Sequence, residues 1–317
     1  MIKKTALFLC FLIIFADAFG QTDLYYPKVS NGTLKHIENF PSKYVSPRNV
    51  DIWLPEGYNE NEKYAVLYMQ DGQMLFDSTI TWDKQEWRVD ETMSKLLKEN
   101  KIRKTIVVGI WNTKDRQSEY FPQKPFESLP SSYSDSLLNN VKVYGGIPLF
   151  PTPVQSDNYL KFLVKELKPF IDMNYSTYTD AENTFIAGSS MGGLISIYGI
   201  CEYPHIFGGA ACLSTHWTGI YTDQNNPIPA KIIEYLKENL PEPAAHKIYF
   251  DYGTETLDTL YEKYQVRVDS VMISKGYTNK NWITLKFVGE NHSEKSWAKR
   301  LDIPLVFLLR NENQLVK

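Results

Sequence analysis

Short apolar runs rich in β-branched and aromatic residues recur along the chain as RNVDIWLP, YAVLYMQDG, KTIVVGIWN, TFIAGSS, GGAACLST, KIYFDYG and NWITLKFVG. Their length and flanking turn residues predict strands. Between them the apolar positions take helical spacing, in DETMSKLLKEN, NYLKFLVKELKPFIDMNY, MGGLISIYGICEY, PAKIIEYLKENL and LDTLYEKYQVRVDSVMISKGY. A closing stretch, EKSWAKRLDIPLVFLLRNEN, is expected to break at Pro304. Strand and helix alternate, and the strands are continuously apolar, so the pattern predicts an α/β fold with helices on both faces of a mostly parallel sheet. GTLKHIENFPSKYVSP precedes the first run with no helix between. That pair is expected to form an antiparallel N-terminal edge.

Residues 113–157 interrupt this rhythm. They hold six of the chain's 17 prolines and little periodicity, yet many aromatics, which argues for a functional insertion over disorder. With no repeat or linker elsewhere, residues 21–317 read as one domain carrying that insertion. Residues 1–20 have the layout of a secretory signal peptide: Lys3 and Lys4, an apolar stretch to Phe15, then Ala16, Ala18 and Gly20. The apolar stretch is too short to span a bilayer, so the mature protein is expected to be secreted or periplasmic, without a membrane span. The formal charge of −3 gives no reason to expect a nucleic-acid partner. Cys10 falls in the leader, leaving Cys201 and Cys212, read as buried free thiols in preference to a disulfide.

The chemistry concentrates at FIAGSSMGGLISIYGI, where Gly188, Ser190 and Gly192 fit G-x-S-x-G between a strand pattern and a helix pattern. A serine on such a sharp turn is lifted clear of the sheet, and glycines at the flanking positions remove collisions between backbones. The N–H of Met191, at the helix start, would face developing negative charge. A serine hydroxyl needs a base and a carboxylate to orient it, and in this kind of sheet they follow in the order serine, acid, histidine. Of five histidines only His292, in FVGENHSEKSW, follows the last predicted strand, so it is the expected general base. The acid is expected beyond KIYFDYG, where Glu255 lies in the loop and is preferred; Asp258 is the alternative, with a competing role as a helix cap. The second oxyanion donor is expected in QDGQMLFD, from the N–H of Gln73 or Gly72, with Gly72 permitting an unusual backbone angle.

Together VLYMQDGQMLFD, VVGIWN with Arg116 downstream, AGSSMGGL, IYFDYGTETLD and GENHSEKSWAKRL resemble the putative esterase family of α/β-hydrolases. That family includes enterochelin esterases, esterase D and the carbohydrate esterases that remove feruloyl or acetyl groups from xylan. The resemblance implies an α/β-hydrolase sheet, a serine nucleophile at Ser190 and a histidine at His292. Many members place a carboxylate about three residues beyond the glycine, where this chain has Thr256, so Glu255 and Asp258 both stay open.

The expected activity is therefore hydrolysis of carboxylic esters by a serine esterase through an acyl-enzyme. No metal or organic cofactor is expected, since the chain has no HExxH, cysteine cluster or phosphate loop. Trp87 in ITWDKQEW, Trp111 and Asn112 in GIWN, and His216 and Trp217 in STHWTGIY are candidate substrate contacts. Aromatic faces suit a sugar ring or a phenolic acyl group, so small-molecule or oligosaccharide esters are the expected partners. Arg116 is a candidate for an anionic group, or else a surface partner of Glu119. Siderophore ester hydrolysis, acyl transfer to a sugar hydroxyl, and carbohydrate binding without catalysis are the alternatives.

Overall fold

The computed structural model describes residues 26–311, so the leader read at 1–20 and Cys10 lie outside the described residues. The strands are β1 (Thr33–Phe40), β2 (Arg48–Leu54), β3 (Ala65–Gln70), β4 (Thr105–Ile110), β5 (Thr184–Ser189), β6 (Gly209–Leu213), β7 (Lys247–Gly253) and β8 (Trp282–Phe287). They form one sheet in the order β1-β2-β4-β3-β5-β6-β7-β8. Pairing is parallel from β4 to β8; β1 with β2 and β2 with β4 are antiparallel. All seven apolar runs are strands, and GTLKHIENF supplies the antiparallel edge.

Helices cover both faces, with α1 at Val89–Lys98, α2 at Arg116–Tyr120, α3 at Gln123–Glu127, α4 at Ser131–Asn139, α5 at Ser156–Phe162 and α6 at Lys168–Asn174. The rest are α7 (Met191–Glu202), α8 (Ile228–Asn239), α9 (Glu262–Ser274), α10 (Glu294–Ala298) and α11 (Asp302–Leu309). Every residue of β3 and β4 is buried, as two covered faces require. Strand alternation splits β3 between two cores. Val66 and Tyr68 join the larger one with Leu194, Ile197 and Tyr198 of α7, whereas Leu67 and Met69 join the smaller one with Met93 of α1 and Leu305 of α11.

Two expectations change. Residues 113–157 are not a bare loop: they carry α2, α3 and α4, and bury Tyr120, Phe121, Phe126, Leu137 and Phe150 in the larger core. This cover explains why α7 is apolar on all sides, since it is enclosed by the sheet beneath and by helices such as α2 beyond. The last helical stretch breaks between Ala298 and Asp302, not at Pro304, which is the third residue of α11, where a missing N–H costs little. Cys201 and Cys212 are buried and free. No helix among the described residues is long and apolar enough to cross a membrane.

Candidate active site

At the carboxyl ends of the parallel strands lies a cleft of about 480 Å³, lined among others by Ser190, Met191, His292, His216, Gln73 and Trp87. Ser190 joins β5 to α7 with φ +56° and ψ −120°, a backbone state that few L-residues adopt. Its N–H donates to the Leu213 carbonyl at 3.0 Å, and its own carbonyl accepts from His216 N–H at 3.1 Å, so the turn is fixed by β6 and the loop after it. A Cβ on Gly188 would lie 2.8 Å from the Gly192 backbone, and one on Gly192 would lie 3.1 Å from Gln70 Cβ. Met191 N–H is the first of α7 and has no partner within the helix.

The carboxylate that meets His292 is Asp258, which corrects the preference for Glu255. Asp258 is fully buried, and its Oδ1 lies 2.5 Å from His292 Nδ1. Its Oδ2 accepts from Gly253 N–H at 2.5 Å and Ser214 Oγ at 2.6 Å. Glu255 is exposed, and its backbone N–H donates to the Glu290 carbonyl. The two positions are separated by a short turn at Thr256 (φ +54°), which drops Asp258 inward. Thr256 still braces His292, because its Oγ1 accepts from His292 N–H at 3.0 Å. The His292 ring packs edge-on to Trp297, with centroids 5.0 Å apart.

The loop after β3, where the second oxyanion donor is expected, has a different geometry from the one expected. The left-handed residue is Asp71, at φ +56°, and not Gly72. Gly72 is needed for close approach, since a Cβ there would come within 2.6 Å of the Gly109 backbone on β4. Gln73 follows in the single turn Gly72–Met74, and its side-chain Oε1 accepts from Asn112 N–H at 3.2 Å.

Arg116 is not a surface partner of Glu119. It forks onto Asp71, Nε to Oδ1 and Nη2 to Oδ2, each at 2.7 Å, and Asn112 Nδ2 also donates to Asp71 Oδ1 at 2.6 Å. Burial would lower the Arg116 pKa, but Asp71 outweighs it and raises it. Glu119 instead pairs with Arg48 in the core, at 2.7 Å. Two tryptophans expected at the substrate lie elsewhere. Trp111 turns to β2 and donates to Asp51 Oδ2, while Trp217 is buried against Phe250 and donates to Gln265. Trp87 lines the cleft and packs on Trp297 with centroids 5.4 Å apart.

The stretches ITWDKQEW and STHWTGIY bring further residues to the cleft, and α10 adds one more. Trp82 is 83% exposed and Tyr221 63% exposed, and both line the cleft. Asp83 and Glu294 add two carboxyls; burial, together with the charges of Asp83 and Asp71, raises Glu294 to about 7. Tyr261, three residues past Asp258, is wholly buried with its hydroxyl 2.7 Å from His216 Nδ1. It falls in a stretch with helical spacing, and only its nearness to an acidic residue could have singled it out.

The curated relatives include the uncharacterized protein YjcH of Bacillus subtilis, 24% identical over 231 residues, covering 72% of this chain and 75% of that one. Among solved structures, the CE1 ferulic acid esterase AmCE1/Fae1A of Anaeromyces mucronatus is similar with a TM-score of 0.59 and 19% identity, covering 88% of this chain and 90% of that one. The enterobactin esterase FES of Shigella flexneri gives a TM-score of 0.61 at 18% identity, covering 89% of this chain and 60% of that one. These likenesses establish the α/β-hydrolase-like fold. The family model described as "Putative esterase" matches residues 43–139 and 150–302, most of the chain, and so this chain belongs to the putative esterase family of carboxylic ester hydrolases.

Proposed function

We propose that the protein is a serine esterase acting through an acyl-enzyme, with Ser190 as nucleophile, His292 as general base and Asp258 as the acid that orients it. The observation that carries this reading is the convergence in one cleft of a serine on a strained strand-to-helix turn with a histidine held by a buried carboxylate. Asp258 fixes the imidazole with Nδ1 protonated, which leaves Nε2 to take the Ser190 proton as the hydroxyl attacks the ester carbonyl. Negative charge on the carbonyl oxygen would then meet the N–H groups of Met191 and Gln73. His292 returns the proton to the leaving alcohol, and water repeats the cycle on the acyl-enzyme. Replacing Ser190 with alanine should abolish hydrolysis of 4-nitrophenyl acetate and labelling by a fluorophosphonate while leaving Tm within a few degrees. Retained turnover in that variant would exclude the assignment.

Feruloyl or acetyl groups carried on a carbohydrate are the proposed substrates. The cleft offers the exposed rings of Trp82 and Tyr221 for stacking. Arg116, the cation lining it among the described residues, is already neutralised by Asp71, and Asp83 adds further acidity. An iron-loaded catecholate, which is a polyanion, would meet repulsion there, so a neutral sugar ester is favoured over a siderophore. Release of ferulate or acetate from xylo-oligosaccharides, with no hydrolysis of a ferric trilactone, is the expected result. The leader-like residues 1–20 support action outside the cytoplasm, and N-terminal sequencing of exported protein should begin near Gln21.

A further inference from the structure

His216 is nine-tenths buried yet lines the cleft beside the nucleophile. Its peptide N–H donates to the carbonyl of Ser190 at 3.1 Å, so the backbones that carry the ring and the serine are tied together. Both side-chain contacts of the ring run through Nδ1, to the Tyr261 hydroxyl at 2.7 Å and more distantly to Thr218 Oγ1 at 3.4 Å. Nε2 has no protein partner among the described residues. Burial, aided by the nearby His292 and Arg116 charges, drives the His216 pKa down to about 3, so the ring is neutral wherever an esterase works. Burial also pushes the Tyr261 phenol well above its ordinary range, against a smaller opposing pull from the Ser190 side chain, so its hydroxyl keeps its proton.

A neutral imidazole has one N–H and one bare nitrogen, and its partners decide which is which. Where the Tyr261 hydroxyl donates to Nδ1, the proton of the ring stands on Nε2. We infer that His216 presents a fixed, uncharged Nε2–H to the cleft as a hydrogen-bond donor for an oxygen of the substrate vicinal to the esterified one, with Tyr261 as the residue that sets the tautomer. Every sugar ester carries such an oxygen, and a ring tethered to Ser190 reaches only atoms close to the scissile bond. The inference deepens the proposed reading and rests on it. A buried donor left unmet by an alkyl ester is penalised, which turns one hydrogen bond into selectivity.

The test compares two esters of equal shape, 2-methoxyethyl acetate and butyl acetate, which differ by one ether oxygen in place of a methylene. The wild type should favour the ether in kcat/KM by roughly tenfold, through KM more than kcat. His216→Leu should bring the ratio near one, His216→Gln, which keeps an N–H, should restore part of it, and Tyr261→Phe should reduce it. Should His216→Leu fail to fold, nitrogen-15 NMR of the wild-type histidines decides, with a neutral Nε2–H tautomer for His216 from pH 5 to 9. An equal rate on both esters in the wild type, a preference surviving His216→Leu, or an Nδ1–H tautomer would overturn the inference. Loss of fluorophosphonate labelling at Ser190, or no turnover of either ester by the wild type, would instead count against the esterase mechanism itself.

Discussion

At the scale of single residues, the pairing of His292 with Asp258 sets the sharpest contrast. Asp258 spends three contacts on its task, one to the imidazole and two that hold the carboxylate itself, whereas Glu255 points to solvent. Asp258→Asn should keep the shape of the turn but favour the wrong imidazole tautomer, lowering kcat on 4-nitrophenyl acetate by about 10³ to 10⁴. Glu255→Gln should stay within about twofold, because exposed polar substitutions away from such contacts are close to neutral. Equal losses in the two variants would remove Asp258 from its role. The sequence brought both carboxylates to the right loop, since chain order places the acid after β7. It favoured the wrong one, Glu255, because the turn between them has one left-handed residue, Thr256, and no hydrophobic period announces a single backbone angle. For the same reason Asp71, and not Gly72, takes the left-handed state in the loop after β3.

Among the elements, the loop carrying the base is braced on two sides. From below, β7 approaches so closely that a Cβ on Gly253 would stand 2.1 Å from the Glu290 carbonyl oxygen. Gly253→Ala should push that loop away, cutting kcat by tenfold or more and lowering Tm, as assayed together on one preparation. From the rim, the segment before α1 grips the same loop: Lys295 N–H donates to Gln85 Oε1, Trp87 packs on Trp297, and Asp83 faces Glu294. Glu294 binds its proton more tightly in the folded chain than an unfolded carboxyl would, with a folded pKa near 7. The stability it lends is therefore full below the unfolded value of about 4.5 and is lost as pH rises through about 7. Glu294→Gln cannot ionise, so its Tm should fall less than that of the wild type between pH 5 and 8, and a slope equal to the wild type's would contradict the proton sharing. The strands that carry these loops were plain in the sequence because each is a continuous apolar run. The cover formed by α2, α3 and α4 was not, since helices of five to nine residues complete too few turns to show a period.

Across the whole molecule, the far end of the chain returns to the site through a buried polar network. Arg300, between α10 and α11, donates from Nε and Nη2 to Asp251 on β7 at 3.1 and 2.9 Å, and from Nη2 to Ser214 Oγ at 3.1 Å. The Ser214 hydroxyl in turn donates to Asp258 Oδ2, and the Trp297 indole donates to Ser214 as well. Five groups from three distant stretches of chain thus meet beneath the imidazole, and none of them is marked by spacing along the sequence. Asp251 is wholly buried, and burial raises its pKa even with Arg300 attached. Removing the guanidinium would strand that carboxylate, so Arg300→Met should cost about 3 to 5 kcal/mol of stability in urea, far above the median for an exposed pair. The double variant Arg300→Met with Asp251→Leu removes both charges and should recover most of the loss, as replaced buried pairs often do. Catalysis should not recover fully with it, because Ser214 would still lack one of the two donors, Arg300 beside Trp297, that fix it under Asp258. Stability regained together with full kcat would show that the network serves the fold alone; stability regained with kcat still depressed would tie the C-terminal helices to the orientation of His292.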